Sequence, residues 1–261
     1  MKSSRYAHQS VILGNQLHLI GGSNQVKLSF DDSETIPISK NFRGQNYTIP
    51  EMHNGRRYFG MCSFARFIFV AGGIQNYNGY LDKCEVYSLE LSKWTEVSSM
   101  NTKRSNFALI YFDDKIWAIG GYSNGTHLDT IETYNLAENK WTTANTKLLS
   151  KRSDHRAAVH NKKFFVIGGG NKNGNLSSVE VYSSETNQFS FVSSMNLRRA
   201  NFGCCLCNSS LYVVGGIEDP NNRNVTDVST VEIYEIENDV WNKGPSLPLK
   251  LSGIGCSSTE L

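Results

Sequence analysis

The chain has 261 residues, 39% apolar and only 19% charged, with 22 Gly; its 26 Lys and Arg against 24 Asp and Glu leave a net charge of +2. That length buries a sizeable core in one large domain or two small ones. A balance so close to neutral argues against a dedicated nucleic-acid or membrane-surface binder, either of which needs a strong basic excess.

In chain order, Met1-Lys2-Ser3-Ser4-Arg5 leads into no signal-peptide stretch, and no apolar run approaches the roughly eighteen residues of a membrane span. The first unit runs from Arg5 to Gly21-Gly22, after which Ser23 to Pro50 hold no Glu-x-Tyr and no Trp, only Tyr47 near the expected place. The second carries Arg57, the run Phe67-Ile68-Phe69-Val70-Ala71, Gly72-Gly73, Glu85 with Tyr87, and Trp94. The third repeats this order with Arg104, Gly120-Gly121, Glu132 with Tyr134, and Trp141. The fourth has Arg152, Gly168-Gly169, Glu180 with Tyr182, and Phe189 where Trp is expected. The fifth has Arg199, Gly215-Gly216, a five-residue insertion, Glu232 with Tyr234, and Trp241. The Gly pairs recur at intervals of 51, 48, 48 and 47 residues, and landmarks in register over such periods mark an internal repeat.

Each unit predicts four strands. The Arg-led segment, such as 105–111, is the first, and the run into the Gly pair, such as 115–119 or 164–167, is the second. Near-continuous apolar character in the second strand means burial on both faces, so each sheet lies between two others. The third alternates through Glu-x-Tyr, the fourth carries the Trp, and polar turns such as 136–140 join them as hairpins. Four-stranded sheets of about fifty residues, each needing neighbours on both faces, stack radially into an all-β propeller. The repeats fall at approximately 3–52, 53–100, 101–147, 148–195 and 196–247. Residues 251–256 align with the first strand of a blade (compare 199–204), so 248–261 is expected to supply the innermost strand of a closing blade.

The order Arg, apolar run, Gly-Gly, Glu-x-Tyr, Trp, Met resembles the kelch repeat and covers nearly the whole chain. It is similar to the kelch domain of BTB–BACK–kelch proteins, where a C-terminal segment supplies the innermost strand of a blade begun before the first full repeat. The resemblance implies a chain truncated at its N-terminus; the alternative is a short product closing with five blades. No BTB or BACK segment lies within these 261 residues.

Several constellations have a plain structural reading. The Gly pairs open no helix and complete no phosphate-loop pattern, so they answer a backbone that needs positive φ or close approach. Cys204, Cys205 and Cys207 lack a second ligand pair, and alternation in a strand puts Cys204 opposite the other two; they read as small hydrophobes. The six Cys are too sparse for a disulfide scaffold. Five Asn-x-Ser/Thr sequons, at Asn46, Asn124, Asn175, Asn208 and Asn224, barely exceed the roughly four expected by chance. Cytoplasm is the expected compartment, with nucleus or cytoskeleton as alternatives. The His residues form no close pair, and no metal or cofactor is expected. A residue repeated in every unit, such as Glu85, Glu132, Glu180 and Glu232, holds the blade rather than performing chemistry.

What does not repeat carries specificity. The loops after the Gly pairs share one rim of a propeller with the turns entering the innermost strands, and they offer Tyr77, Tyr80, Tyr122, His127 and Arg223 alongside Arg104, Arg152 and Arg199. Tyr and Arg are the usual interface anchors. In similar kelch adaptors the residue after Gly-Gly and the two after Arg contact an acidic peptide. By position the resemblance assigns these contacts to Tyr122, Ser105, Asn106, Ser153, Asp154 and Asn201. Ile74, Gly170 and Ile217 follow the other Gly pairs and depart from that pattern.

The expected function is a non-enzymatic module that binds a protein or peptide, specifically the substrate-recognition part of a cullin-dependent ubiquitin ligase adaptor. A cullin would join only through a BTB region outside these residues. A second reading is an actin-binding cytoskeletal scaffold, and a remote third is a kelch-type oxidoreductase. No nucleic acid and no membrane are expected as partners.

Overall fold

A computed structural model describes residues 4–13, 16–38, 48–76, 79–218 and 226–256. Its regular structure is all β, arranged as five antiparallel meander sheets in a kelch propeller. Blade one contributes Gln9–Leu13, Gln16–Ile20 and Ser33–Pro37; residues 39–47, which hold Tyr47, lie outside the described residues. Blade two is Gly60–Phe64, Phe67–Ala71, Cys84–Ser88 and Lys93–Val97. Blade three is Ala108–Phe112, Lys115–Ile119, Thr130–Asn135 and Lys140–Lys147. Blade four is Arg156–His160, Lys163–Ile167, Val179–Ser183 and Gln188–Val192. Blade five is Gly203–Cys207, Ser210–Val214, Val231–Glu235 and Val240–Lys243. The innermost strands begin three or four residues later than the Arg-led pattern suggests, because the residues after Arg form a corner.

The apolar second strands are buried on both faces: Ile68, Phe69, Val70 and Ala71 are all fully buried. Core clusters form between neighbouring blades, as where Phe69 and Ala71 of blade two meet Leu109, Ile116, Tyr134 and Trp141 of blade three. Blade stacking therefore supplies the hydrophobic driving force, and no single sheet has a core of its own.

The repeated polar residues clamp these interfaces. Arg104 Nη1 donates to the carbonyls of Gly120 (2.8 Å) and Thr130 (3.1 Å), and Nη2 donates to Glu132 (2.6 Å). Glu132 also accepts the backbone N–H groups of Asn101 (2.7 Å) and Thr102 (3.0 Å), tying down the strap between blades. The same arrangement recurs in Arg152–Glu180 (2.5 Å) and Arg199–Glu232 (2.7 Å). In blade two the arginine is Arg56, not Arg57: Arg56 donates to Gly72 O and to Glu85 at 2.6 Å. Two adjacent arginines hid a one-residue slip in the sequence pattern. Burial works to raise Glu85, but the Arg56 charge and donors from His53 and Asn54 outweigh it and hold the carboxyl below its ordinary range. In blade one Arg5 lies 3.7 Å from Glu34, which stands thirteen residues after Gly21, the interval that separates Glu85 from Gly72. The Glu of the first unit is thus present, with Ile36 where the other units have Tyr.

Both members of every Gly pair have positive φ, and a Cβ on Gly72 would stand 2.5 Å from the Arg104 carbonyl of the next blade. Only glycine permits that approach. The second Gly donates to the same carbonyl, as in Gly73 N to Arg104 O at 2.9 Å. Leu251 occupies this carbonyl position for blade five, accepting from Gly216 N at 2.7 Å. Residues 251–256 form no strand, since an innermost strand ladders only onto the second strand of its own blade and the described residues contain none for it. The segment runs beside the innermost strands of blades five and one, with Cys256 against Gly203 and Gly255 against Ser10.

Candidate functional site

The corner after each wall arginine places one residue in the left-handed region. Ala7, Tyr58, Asn106, Asp154, Asn201 and Gly253 all have φ between 54° and 62°. Their backbones join in sequence: Tyr58 N donates to Ala7 O (3.1 Å), Asn106 N to Tyr58 O (2.8 Å) and Asp154 N to Asn106 O (2.8 Å). Asn201 N to Asp154 O (3.0 Å) and Gly253 N to Asn201 O (2.8 Å) continue the ring. These six corners surround the mouth of the central channel.

A second tier lies outside the first. The residue after the arginine pairs with the residue after the Gly pair in each blade: Tyr6 with Ser23, Arg57 with Ile74, Ser105 with Tyr122, Ser153 with Gly170, and Ala200 with Ile217. The positions assigned by the resemblance are therefore backbone partners.

A polar network crosses the face. Ser105 Oγ donates to Asn106 Oδ1 (2.8 Å), Asn106 Nδ2 to Asp154 Oδ1 (2.5 Å), and Ser153 Oγ to Asp154 Oδ2 (2.7 Å). His127 Nδ1 lies 3.2 Å from Ser153 Oγ. The His127 ring packs edge-on against Tyr122 at 5.0 Å, and Tyr122 lies 6.2 Å from Tyr80. Partial burial lowers the His127 pKa, Asp154 opposing, so the imidazole is neutral at pH 7.

Tyr80, Asn106, Tyr122, His127, Asp154 and Asn201 come together, each half-buried, on this face. The three arginines do not. Arg104, Arg152 and Arg199 are fully buried in the blade wall, each committed to its Glu, and present nothing to a partner. Ser105 and Ser153 are buried too, and position Asn106 and Asp154 rather than facing outward. Tyr77 and Arg223 lie outside the described residues. Residues missed from the sequence are Tyr6, 43% exposed, and Arg57 with Tyr58. Tyr6 and Tyr58 stand 6.5 Å apart, and Arg57 Nη1 reaches Ser23 Oγ at 3.5 Å. Placing Arg56 in the wall frees Arg57 and Tyr58 to take the positions that Ser105 and Asn106 hold in blade three. Among the described residues, the face thus joins two tyrosine pairs with the Arg57 guanidinium and the Asp154 carboxylate.

Residues 7–216 match the KLHDC2/KLHL20/DRC7 Kelch-repeats domain, and residues 198–248 match the Kelch motif. Kelch-like protein 26 of Danio rerio is 27% identical over 265 residues, a match covering 94% of this chain and 41% of the relative. Kelch-like protein 15 of Homo sapiens is 28% identical over 156 residues, 53% of this chain and 26% of the relative. The chain thus spans less than half the length of these relatives. The solved structure of YjhT shares the fold, with a TM-score of 0.81 over 97% of this chain and 87% of that one at 12% identity. Wall arginines, Gly pairs and Glu clamps recur through a chain that one kelch domain spans for most of its length, and the chain belongs to the kelch-repeat family.

Proposed function

We propose that this chain is a protein-interaction module that captures an extended segment of a partner protein on its loop-bearing face. The observation that carries this reading is the ring of backbone-linked corners that presents Tyr58, Asn106, Asp154 and Asn201 at one mouth, with Tyr80, Tyr122 and His127 beside it. Rigid tyrosines offer large contact area at little entropic cost, while amide and carboxylate groups fix register by hydrogen bonds. Asp154 stands where a face dedicated to acidic peptides would hold neutral or basic groups, so the favoured segment also presents donors.

The finer reading is substrate recognition for a cullin-dependent ubiquitin ligase. Support comes from the kelch-like relatives, of which this chain matches less than half the length. The test is proximity labelling in cells with wild-type protein and a Tyr122→Ala/Asp154→Asn variant as baits. Partners should be depleted at least about tenfold by the variant, with unfolding free energy changed by no more than about 1 kcal/mol. Recovery of the same partners at the same yield by both baits would remove the site assignment. A cullin among the depleted proteins supports the ligase reading; actin there instead supports a scaffold.

A further inference from the structure

Arg156 stands apart from the wall arginines. Arg5, Arg56, Arg104, Arg152 and Arg199 each lie beside a glutamate. Arg156 opens the innermost strand of blade four and turns into the central channel, where no carboxylate among the described residues lies within ion-pair distance. Its hydrogen bond, Nη1 to the His155 carbonyl, is long at 3.4 Å. Asp154, the acidic group whose charge it feels, accepts from Asn106 and Ser153 and makes no ion pair with it. The guanidinium is half-buried and faces the solvent of the channel, so an anion that enters there meets a positive charge that no carboxylate has neutralised.

The channel around it has three sections. At the loop-bearing face a neck of about 20 Å³ is lined by the corner residues, including Tyr58, Asn106, Asp154 and Asn201. Below it a chamber of about 160 Å³ is bounded by Arg156, Gln9, Ser10, Ala108, Cys204 and Cys256. Further down, past Ala157 and Ala158, the channel widens to about 320 Å³. A site needs about 10–15 Å³ of such space to hold one water, so the neck takes a single water while the chamber has room for a short carboxylate or a tetrahedral oxyanion. The thiols lining the chamber and the imidazole at the neck are neutral at pH 7: burial pushes Cys204 up to about 12, the hydrogen bond with Cys205 and then burial raise Cys256, and burial with Arg5 brings His8 down to about 4; Cys205, lowered by the same bond, lines the wider section beyond the chamber. Arg156 is therefore the one charge facing the chamber among the described residues, and Asp154 guards the neck with the opposite sign.

We propose that this chamber is a binding site for a small free oxyanion, held by Arg156 and admitted from the end opposite the loop-bearing face. Short carboxylates, inorganic phosphate and sulfate share the required chemistry. Thermal unfolding and calorimetry with acetate, phosphate and sulfate, each against potassium chloride at matched ionic strength, separate the sources. At least one should bind with a stoichiometry near one and raise Tm with the logarithm of its concentration, by roughly 5 °C at a hundredfold excess over Kd. Arg156→Leu should weaken that binding at least about a hundredfold, as loss of a charge-assisted contact in a confined channel does. Should Arg156→Leu fail to fold, Arg156→Gln, which keeps a polar end and loses the charge, takes its place and should show the same loss of binding. No anion-specific rise in Tm, or a rise retained in Arg156→Leu or Arg156→Gln, would overturn the proposal.

Discussion

Replacing Arg152 with Ala should destabilise the propeller by about 3–5 kcal/mol, a large part of the stability of an ordinary domain. The substitution removes the donor to Gly168 O and Ser178 O, at 2.8 and 3.1 Å, and leaves the fully buried Glu180 carboxylate without its cation. Glu180 would retain only the N–H groups of Leu149 (2.7 Å) and Ser150 (3.0 Å), too little to offset the burial of a charge. The double variant Arg152→Met/Glu180→Leu should recover much of the loss, because it removes the orphaned charge along with the bond. Urea unfolding of the wild type, both single variants and the double variant closes the cycle. A loss below about 1 kcal/mol for Arg152→Ala would mean that the pair is neither dry nor structural.

His155→Phe should do the opposite. Three residues after the wall arginine, blades two, three and five place Phe59, Phe107 and Phe202 against the Gly pair of the preceding blade. In blade four that place holds His155, whose Cε1 would meet a Cβ on Gly120 at 2.9 Å, as Phe59 Cε1 would meet one on Gly21 at 2.8 Å. The imidazole is fully buried, and neither nitrogen makes a well-formed hydrogen bond, the Ile119 carbonyl offering only a weak one. Phenylalanine fills the same slot without polar atoms and should stabilise by about 1–3 kcal/mol at pH 7.

The pH dependence gives this prediction a second handle. Burial, then the charges of Arg152 and Arg156, hold His155 well below its ordinary value of 6.5. The folded state thus refuses a proton that the unfolded chain accepts. Stability from this site is complete above pH 6.5 and is lost as pH falls toward the folded value. Below pH 6.5 the advantage of His155→Phe should widen by up to about 1.4 kcal/mol per pH unit. His8, held at about 4, keeps a residual acid dependence in both proteins. Equal slopes for the two proteins between pH 6.5 and 4.5 would show that His155 is not buried neutral.

The contrast between these residues explains what could be read in the sequence. Glu132 and Gly120 announce themselves because their geometry is forced in every blade, so their register recurs. Arg152 recurs for the same reason, and its recurrence was the sign that it belongs to the wall; residue type alone made it look like an interface anchor. Arg56 was masked by Arg57, and Glu34 by Ile36 standing where a Tyr was expected. Tyr122 and Asp154 were legible as face residues because a repeat converts position along the chain into position around a circle. Arg156 was not, since the meaning of a side chain aimed at the axis appears only once all the innermost strands surround it.

The ring of corners has a consequence for how such a face can change. The hydrogen bonds that hold it run between main-chain atoms, so none of them depends on which side chain the corner carries. Ala, Tyr, Asn, Asp and Gly already occupy equivalent corners within this one chain, at closely similar φ. The cost of a new side chain there is the modest strain of a left-handed residue, about 1 kcal/mol, and does not extend to the blade wall behind it. Recognition can therefore be rewritten one corner at a time, while the wall, whose arginines and glutamates have no such freedom, keeps the scaffold constant.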